Sequence, residues 1–402
     1  MAAASTLKWG IGILALAMAG TSWADISQDE VRIGYLADLS GPYSDNTGIG
    51  GKTAIQLAIE DFNGTVAGKP IQLYVADHQA KADIGASIAR QWLDEEKLDM
   101  IVGGDNSAVL LAVNGLLNDK KFVFMNVGGG STAFTNDKCT PYTVQYHYNT
   151  RSVARTIVSA ILKEGGKDWY FLTADYTFGH DLEKEAVDVL EKNGGHVTGR
   201  VRAPLGTSDF SSFVLQAQAA NPQVLALANA GDDTINAINT SQEFGLTDQM
   251  KVAALLMYVT NVHAMGLANA QGLLLAEPWY WDTNDQTRAF AQRYYDVVGK
   301  MPNGNHAADY SATLTYLKAV EAAGSDDPDK VMAQLRTMQI DDMYSKGHIR
   351  EDGTMVHDFY LFRVKTPEES KKPWDYMERL ATVDGEVAFG GLDESTCSLV
   401  SH

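Results

Sequence analysis

Cysteine is almost missing from this chain: Cys139 and Cys397 are the only two in 402 residues. So low a count excludes a disulfide-dense scaffold and leaves room for one bridge in an oxidising compartment. No histidine stands within four residues of either cysteine, and the nine histidines include no pair three or four residues apart. No metal site and no cofactor is expected. Basic residues are also short, 32 against 51 acidic ones, for a formal net charge of −19. Nucleic acid and anionic lipid both require a basic face, so neither is an expected partner. Catalytic signatures are missing too: there is no G-x-S-x-G elbow, no H-E-x-x-H and no C-x-x-C. A Ser-His-Asp site assembled from distant segments stays open as a minor alternative.

Long hydrophobic runs are lacking beyond the N-terminus. Gly10 to Gly20 is apolar, follows Lys8 and precedes Ser22-Trp23-Ala24. The run is too short for a bilayer, which needs about 20 residues, and has the form of a secretory signal. Residues 1–24 are therefore expected to be removed near Ala24, leaving a periplasmic chain that begins at Asp25. A disulfide between Cys139 and Cys397 fits that compartment.

What is present is a repeated α/β rhythm. Val31 to Leu39, Ile71 to Ala76, Met100 to Gly103 and Phe122 to Val127 read as strands. Helices over Gly50 to Phe62, Ile84 to Leu98 and Ser107 to Leu117 separate them. Right-handed crossovers then require a parallel sheet with helices on both faces. A second set follows Thr150, with strands at Tyr170 to Thr173, Val197 to Val201, Val224 to Ala228 and Lys251 to Met257. Strand Leu273 to Ala276, three helices and an alternating C-terminal segment complete the chain. With only ten prolines and no Pro- or Ser-rich linker, the two halves read as doubly wound lobes joined by crossing segments. The expected division is 25–146 with 279–345 in one lobe and 147–278 with 346–402 in the other.

Open α/β sheets bind ligands at the carboxyl ends of their strands. Two loops there are rich in glycine and hydroxyls: Gly103 to Ser107, and Gly128-Gly129-Gly130-Ser131-Thr132. Bare backbone at Gly129 and Gly130, with Ser107 and Ser131 and a helix N-terminus, is suited to a carboxylate. A plain flexible turn is the competing reading. On the ligand-binding reading, Gly129→Val removes affinity. Gly48 to Thr53 lacks the first glycine of a phosphate loop, since Asn46 stands there, and reads as a helix start. Aromatics gather past strand ends, among them Tyr43, Tyr148, Tyr176, Phe178, Tyr258 and Trp281. Core packing is the alternative for each; about half are expected to line a cleft.

These segments resemble the branched-chain amino-acid-binding (Leu/Ile/Val-binding-like) family of periplasmic receptors, which have the type I periplasmic-binding fold and serve ABC importers. The resemblance rests on Val31-Arg-Ile-Gly-Tyr-Leu-Ala-Asp-Leu-Ser-Gly-Pro-Tyr43, Phe178-Gly179, Asp209-Phe210-Ser-Ser-Phe213 and Tyr310-Ser-Ala312. It implies a carboxylate held by Ser107 and Gly129-Gly130-Ser131 beside Tyr43. It also implies that Phe178 closes from the second lobe and that Asn229, Ala230 and Asp232 form a neighbouring loop. Amino-acid-binding members place an acid after the last strand of the second set. Here Tyr258-Val-Thr-Asn261 stands there, so Asp105 or Asp232 must take an ammonium or the ligand has none. The resulting expectation is a monomeric, non-enzymatic solute-binding protein that captures a carboxylate-bearing small molecule and meets permease subunits. A sensor subunit for a membrane receptor and a secreted amidase or esterase are the rivals.

Overall fold

The computed structural model describes residue 1 and residues 25–401; the signal-peptide expectation concerns residues outside that description. Among the described residues no helix is long and apolar enough to cross a membrane.

Val31–Ala37 lies at the centre of the first sheet because almost every side chain in it is buried. Lys69–Asp77 and Met100–Gly103 flank it in parallel, and Val123–Asn126 and Thr143–Gln145 extend the sheet. Thr65–Val66 turns back antiparallel at the far edge. Apolar burial on both faces is what a parallel sheet sandwiched by helices requires. The second sheet is also parallel, in the order Lys251–Ala254, Val224–Ala228, Asp168–Ala174, His196–Ala203. The expected α/β fold of two doubly wound halves is therefore present.

After the second sheet the chain goes back and forth. Asp285–Val298 and Gly304–Ala323 pack on helix Gly48–Asp61 of the first half. Gly51 permits that approach, since a Cβ there would stand 2.4 Å from Asp309 Oδ2 on Gly304–Ala323. Leu274–Glu277 pairs antiparallel with Phe359–Val364, which packs against Thr150–Lys163 of the second half. Lys346–Ile349 pairs with Gln339–Asp341, so the boundary drawn between 345 and 346 falls in the turn of a hairpin.

Two differences from the sequence reading have simple causes. Thr143–Gln145 was not expected as a strand; it is three residues long, too short for a period-2 pattern. Lys251–Ala254 stops three residues early; the Leu255 amide still bonds Leu227 O, and the chain bends away there.

Cys139 and Cys397 are joined, with Cα atoms 5.7 Å apart across a sequence separation of 258. The tail reaches that bond from the second half. Arg155 and Arg350 donate to the Val387 and Gly390 carbonyls at 3.0 and 2.6 Å. Ser395 Oγ then donates to Thr135 O, and the Thr396 amide to Asn136 Oδ1, both at 2.9 Å.

Candidate functional site

The carboxyl ends of both sheets point toward a shared cleft, and the loops that leave them close around a small cavity.

The first loop is shaped by its own aspartate. Asp38 accepts from the Gly41 and Tyr43 amides at 2.7 and 3.2 Å, which turns the chain and directs Tyr43 into the cleft. Asp105 braces the same loop. Its Oδ2 accepts from the Asp38 amide at 2.8 Å and the Thr47 hydroxyl at 2.7 Å. Its Oδ1 faces His78 Nε2 at 3.5 Å. Nδ1 of that ring accepts the Ala80 amide, which leaves the proton on Nε2, toward Asp105. Burial pushes the Asp105 carboxyl up, and His78 opposes that. Asp105 thus lines the cavity with Oδ2 committed to the first loop and Oδ1 beside His78 without a hydrogen bond among the described residues.

Ser107 opens helix Ser107–Asn114, capped by Asn106, whose side chain accepts from the Ala108 and Val109 amides. Ser107 Oγ accepts the Ser131 amide at 3.1 Å, which leaves its own hydrogen to donate into the cavity. The glycine loop behaves differently from expectation. Gly129 is held at both ends: its amide donates to Asn126 Oδ1, and its carbonyl accepts from Asn126 and Gln145. The Gly130 carbonyl accepts from the Thr150 amide, and Ser131 Oγ from Ala133. The Gly129 backbone is spent within the protein, and Gly129, Gly130 and Ser131 stand behind the wall, so that of this run only Gly128 lines the cavity.

Tyr148, Phe178 and Tyr258 do line the cavity, together with Tyr43. Burial raises the phenols of Tyr43, Tyr148, Tyr176 and Tyr258, so all four are neutral hydroxyls. Three expected residues lie elsewhere. Asn229 is buried behind the wall, where it accepts from the Thr234 hydroxyl, and Ala230 takes the place at the surface of the cavity. The Asp232 carboxylate is exposed; only its amide is engaged, donating to Pro42 O at 3.2 Å. Trp281 Nε1 donates to Trp374 O under the Lys372 ammonium, which turns the indole away from the cleft. Sequence reasoning missed Asn46, Thr47, Leu256 and Asn305 as lining residues. Thr47 and Asn305 sit at or in the first turn of helices Gly48–Asp61 and Gly304–Ala323, where capping is the ordinary expectation.

The two halves touch directly. The Tyr43 and Tyr176 hydroxyls are 2.6 Å apart. Asp181, on helix Thr177–Lys192, accepts from the Thr132 amide at 2.7 Å, and its carboxylate also bonds the Thr132 and Thr150 hydroxyls. Asn261 donates to Asn46 Oδ1 at 2.9 Å. This is a closed cleft. Hydrogen bonds to a charged group contribute about 1.5–3 kcal/mol, so Asp181→Ala should weaken solute binding roughly tenfold, chiefly through faster release. Stopped-flow release rates check this, and an unchanged off-rate would show that the latch does not hold the closed form.

Among known proteins, the periplasmic binding protein family model matches residues 30–372. A crystal structure of a periplasmic binding protein from Burkholderia mallei is 55% identical, with a TM-score of 0.92 over 93% of this chain and all of that one. A structure from Burkholderia xenovorans, described as a branched chain amino acid ABC transporter periplasmic ligand-binding protein, is 41% identical. Its TM-score is 0.82 over 92% of this chain and 99% of that one. The Leu/Ile/Val-binding protein homolog 4 of Brucella melitensis is 25% identical, over 91% of this chain and 96% of its own length. A match over most of the chain, on a fold of two facing sheets with a closed cleft, leaves one assignment: the chain belongs to the periplasmic binding protein family.

Proposed function

We propose that this protein is the solute-capturing component of an ABC importer, working in the periplasm after loss of residues 1–24. The observation that carries this reading is the cleft itself. Loops from both halves enclose one cavity, walled by Tyr43, Tyr148, Tyr176, Phe178 and Tyr258, with no lysine or arginine among its lining residues. A solute in contact with both halves favours the closed form by its differential affinity. The lobes that close are taken as 25–146 with 279–345 and 147–278 with 346–402, turning about the crossing segments. Capture without conversion, as a monomer that meets permease subunits, completes the reading.

The solute is a small organic acid with an aromatic or branched apolar body. Ser107 and the positive end of its helix meet the carboxylate. An ammonium is disfavoured because Asp232 carries its carboxylate outside the cavity, while Asp105 has Oδ2 engaged by the Asp38 amide and Thr47 and Oδ1 turned to His78. A buried unpaired charge costs several kcal/mol, so a zwitterion binds poorly here. The test is calorimetric titration of protein unfolded and refolded to strip bound solute, with benzoate, 4-hydroxybenzoate, leucine and phenylalanine. Ligand at about 100 times its Kd should add roughly 2.7 kcal/mol of stability. The expected result is binding of the ammonium-free acids with no product formed; tight binding of leucine and phenylalanine alone would reject this ligand class.

A further inference from the structure

One wall of the cavity, beside the first crossing segment, gathers buried polar groups from three separate parts of the chain. Tyr258 follows the last strand of the second sheet and stacks on His147 with centroids 6.3 Å apart. Asn305 is in the first turn of helix Gly304–Ala323, which packs on the first half. Glu277 ends the strand that crosses between them, and its Oε2 accepts the Gly304 amide at 3.1 Å. All three side chains are at most 3% exposed. Among the described residues, Tyr258 Oη, Asn305 Oδ1 and Glu277 Oε1 make no hydrogen bond of ordinary geometry, though Tyr148 and Asn305 neighbour the Tyr258 hydroxyl and the Val259 amide neighbours Glu277. Leaving a buried polar group unpaired costs about 1–3 kcal/mol, so three such atoms on one wall favour a polar partner there.

We propose that Tyr258 and Asn305, backed by Glu277, form a specificity subsite that reads an uncharged hydroxyl on the solute and joins the two halves through it. The inference rests on the solute-binding reading above and adds to it the group that is recognised. Tyr258 and Asn305 both face the cavity, and a hydroxyl can donate to one while accepting from the other. Burial drives the Glu277 carboxyl well above the usual carboxylate range. This wall therefore offers hydrogen bonds and no charge, which suits a hydroxyl and not an ammonium. A site built to bond a hydroxyl rejects the analogue that lacks it, since its own groups are then left unpaired. Because Tyr258 and Asn305 belong to opposite halves, the same contact favours closure.

The experiment uses matched pairs on the stripped full-length protein: benzoate against 4-hydroxybenzoate, and phenylacetate against mandelate. The wild type should prefer the hydroxylated member of at least one pair by about tenfold or more. In Tyr258→Phe and in Asn305→Ala that preference should fall below about threefold, through weaker binding of the hydroxylated member and equal or tighter binding of the hydroxyl-free member. Retained binding of that member shows that each variant is folded, and Tyr258→Phe keeps the ring and its packing. Equal binding of both members in every pair would overturn the proposal, as would a preference undiminished in both variants. If no member of any pair binds while another solute does, the organic-acid reading itself has failed and this subsite falls with it.

Discussion

Gly130→Val should lower solute affinity by roughly 10- to 100-fold while the protein still folds. A Cβ on Gly130 would stand 2.6 Å from Tyr148 Cε2 and 3.0 Å from Phe178 Cε2, and both rings line the cavity. Added methyl groups would drive those rings into the solute's space. Overpacking of this kind costs about 1–3 kcal/mol, which here falls mainly on the bound state. Gly129→Val is the informative contrast. Its Cβ would meet Asn126 Oδ1 at 2.6 Å and Leu110 at 3.0 Å, in the packing behind the wall. That variant should lose stability more than affinity, opposite to what the bare glycine run led one to expect. Calorimetry and thermal unfolding on both variants separate the two effects. Unchanged affinity in Gly130→Val would mean that Tyr148 and Phe178 do not contact the solute.

Replacing Cys139 and Cys397 together with serine should cost about 2–4 kcal/mol of stability. The bridge closes most of the chain into a loop, so its loss frees the unfolded ensemble. The tail then keeps only side-chain contacts at its far end, Ser395 and Thr396 on the Thr132–Thr135 turn and its neighbour. Denaturant unfolding of the double variant, with the wild type under reducing agent as a parallel, measures the loss. Equal midpoints, or two free thiols in native protein, would contradict it.

The periodic parts of the fold were legible because burial imposes a period. Met100–Gly103 and Val224–Ala228 are apolar throughout, and their limits agree with the sequence reading to the residue. The cleft was legible at the level of loops, since ligand loops must follow the carboxyl ends of parallel strands. Which side chain in a loop faces inward was harder to read. Gly129 looks available in sequence, yet Asn126 and Gln145, distant in character and not in space, take up its backbone. Trp281 was drawn outward by Trp374, almost a hundred residues on. Asp232 carries its charge outside because its backbone, and not its carboxylate, is the part that meets the first loop. Asn305 had no local signal at all. Its place depends on how a late helix returns to the first half.

The central claim is that one solute holds both halves together. Small-angle scattering on protein stripped of solute, before and after saturation with whichever acid stabilises it most, tests this directly. The account predicts a smaller radius of gyration on saturation, reversed when the solute is removed again. Identical scattering in both states, with the solute demonstrably bound, would contradict it.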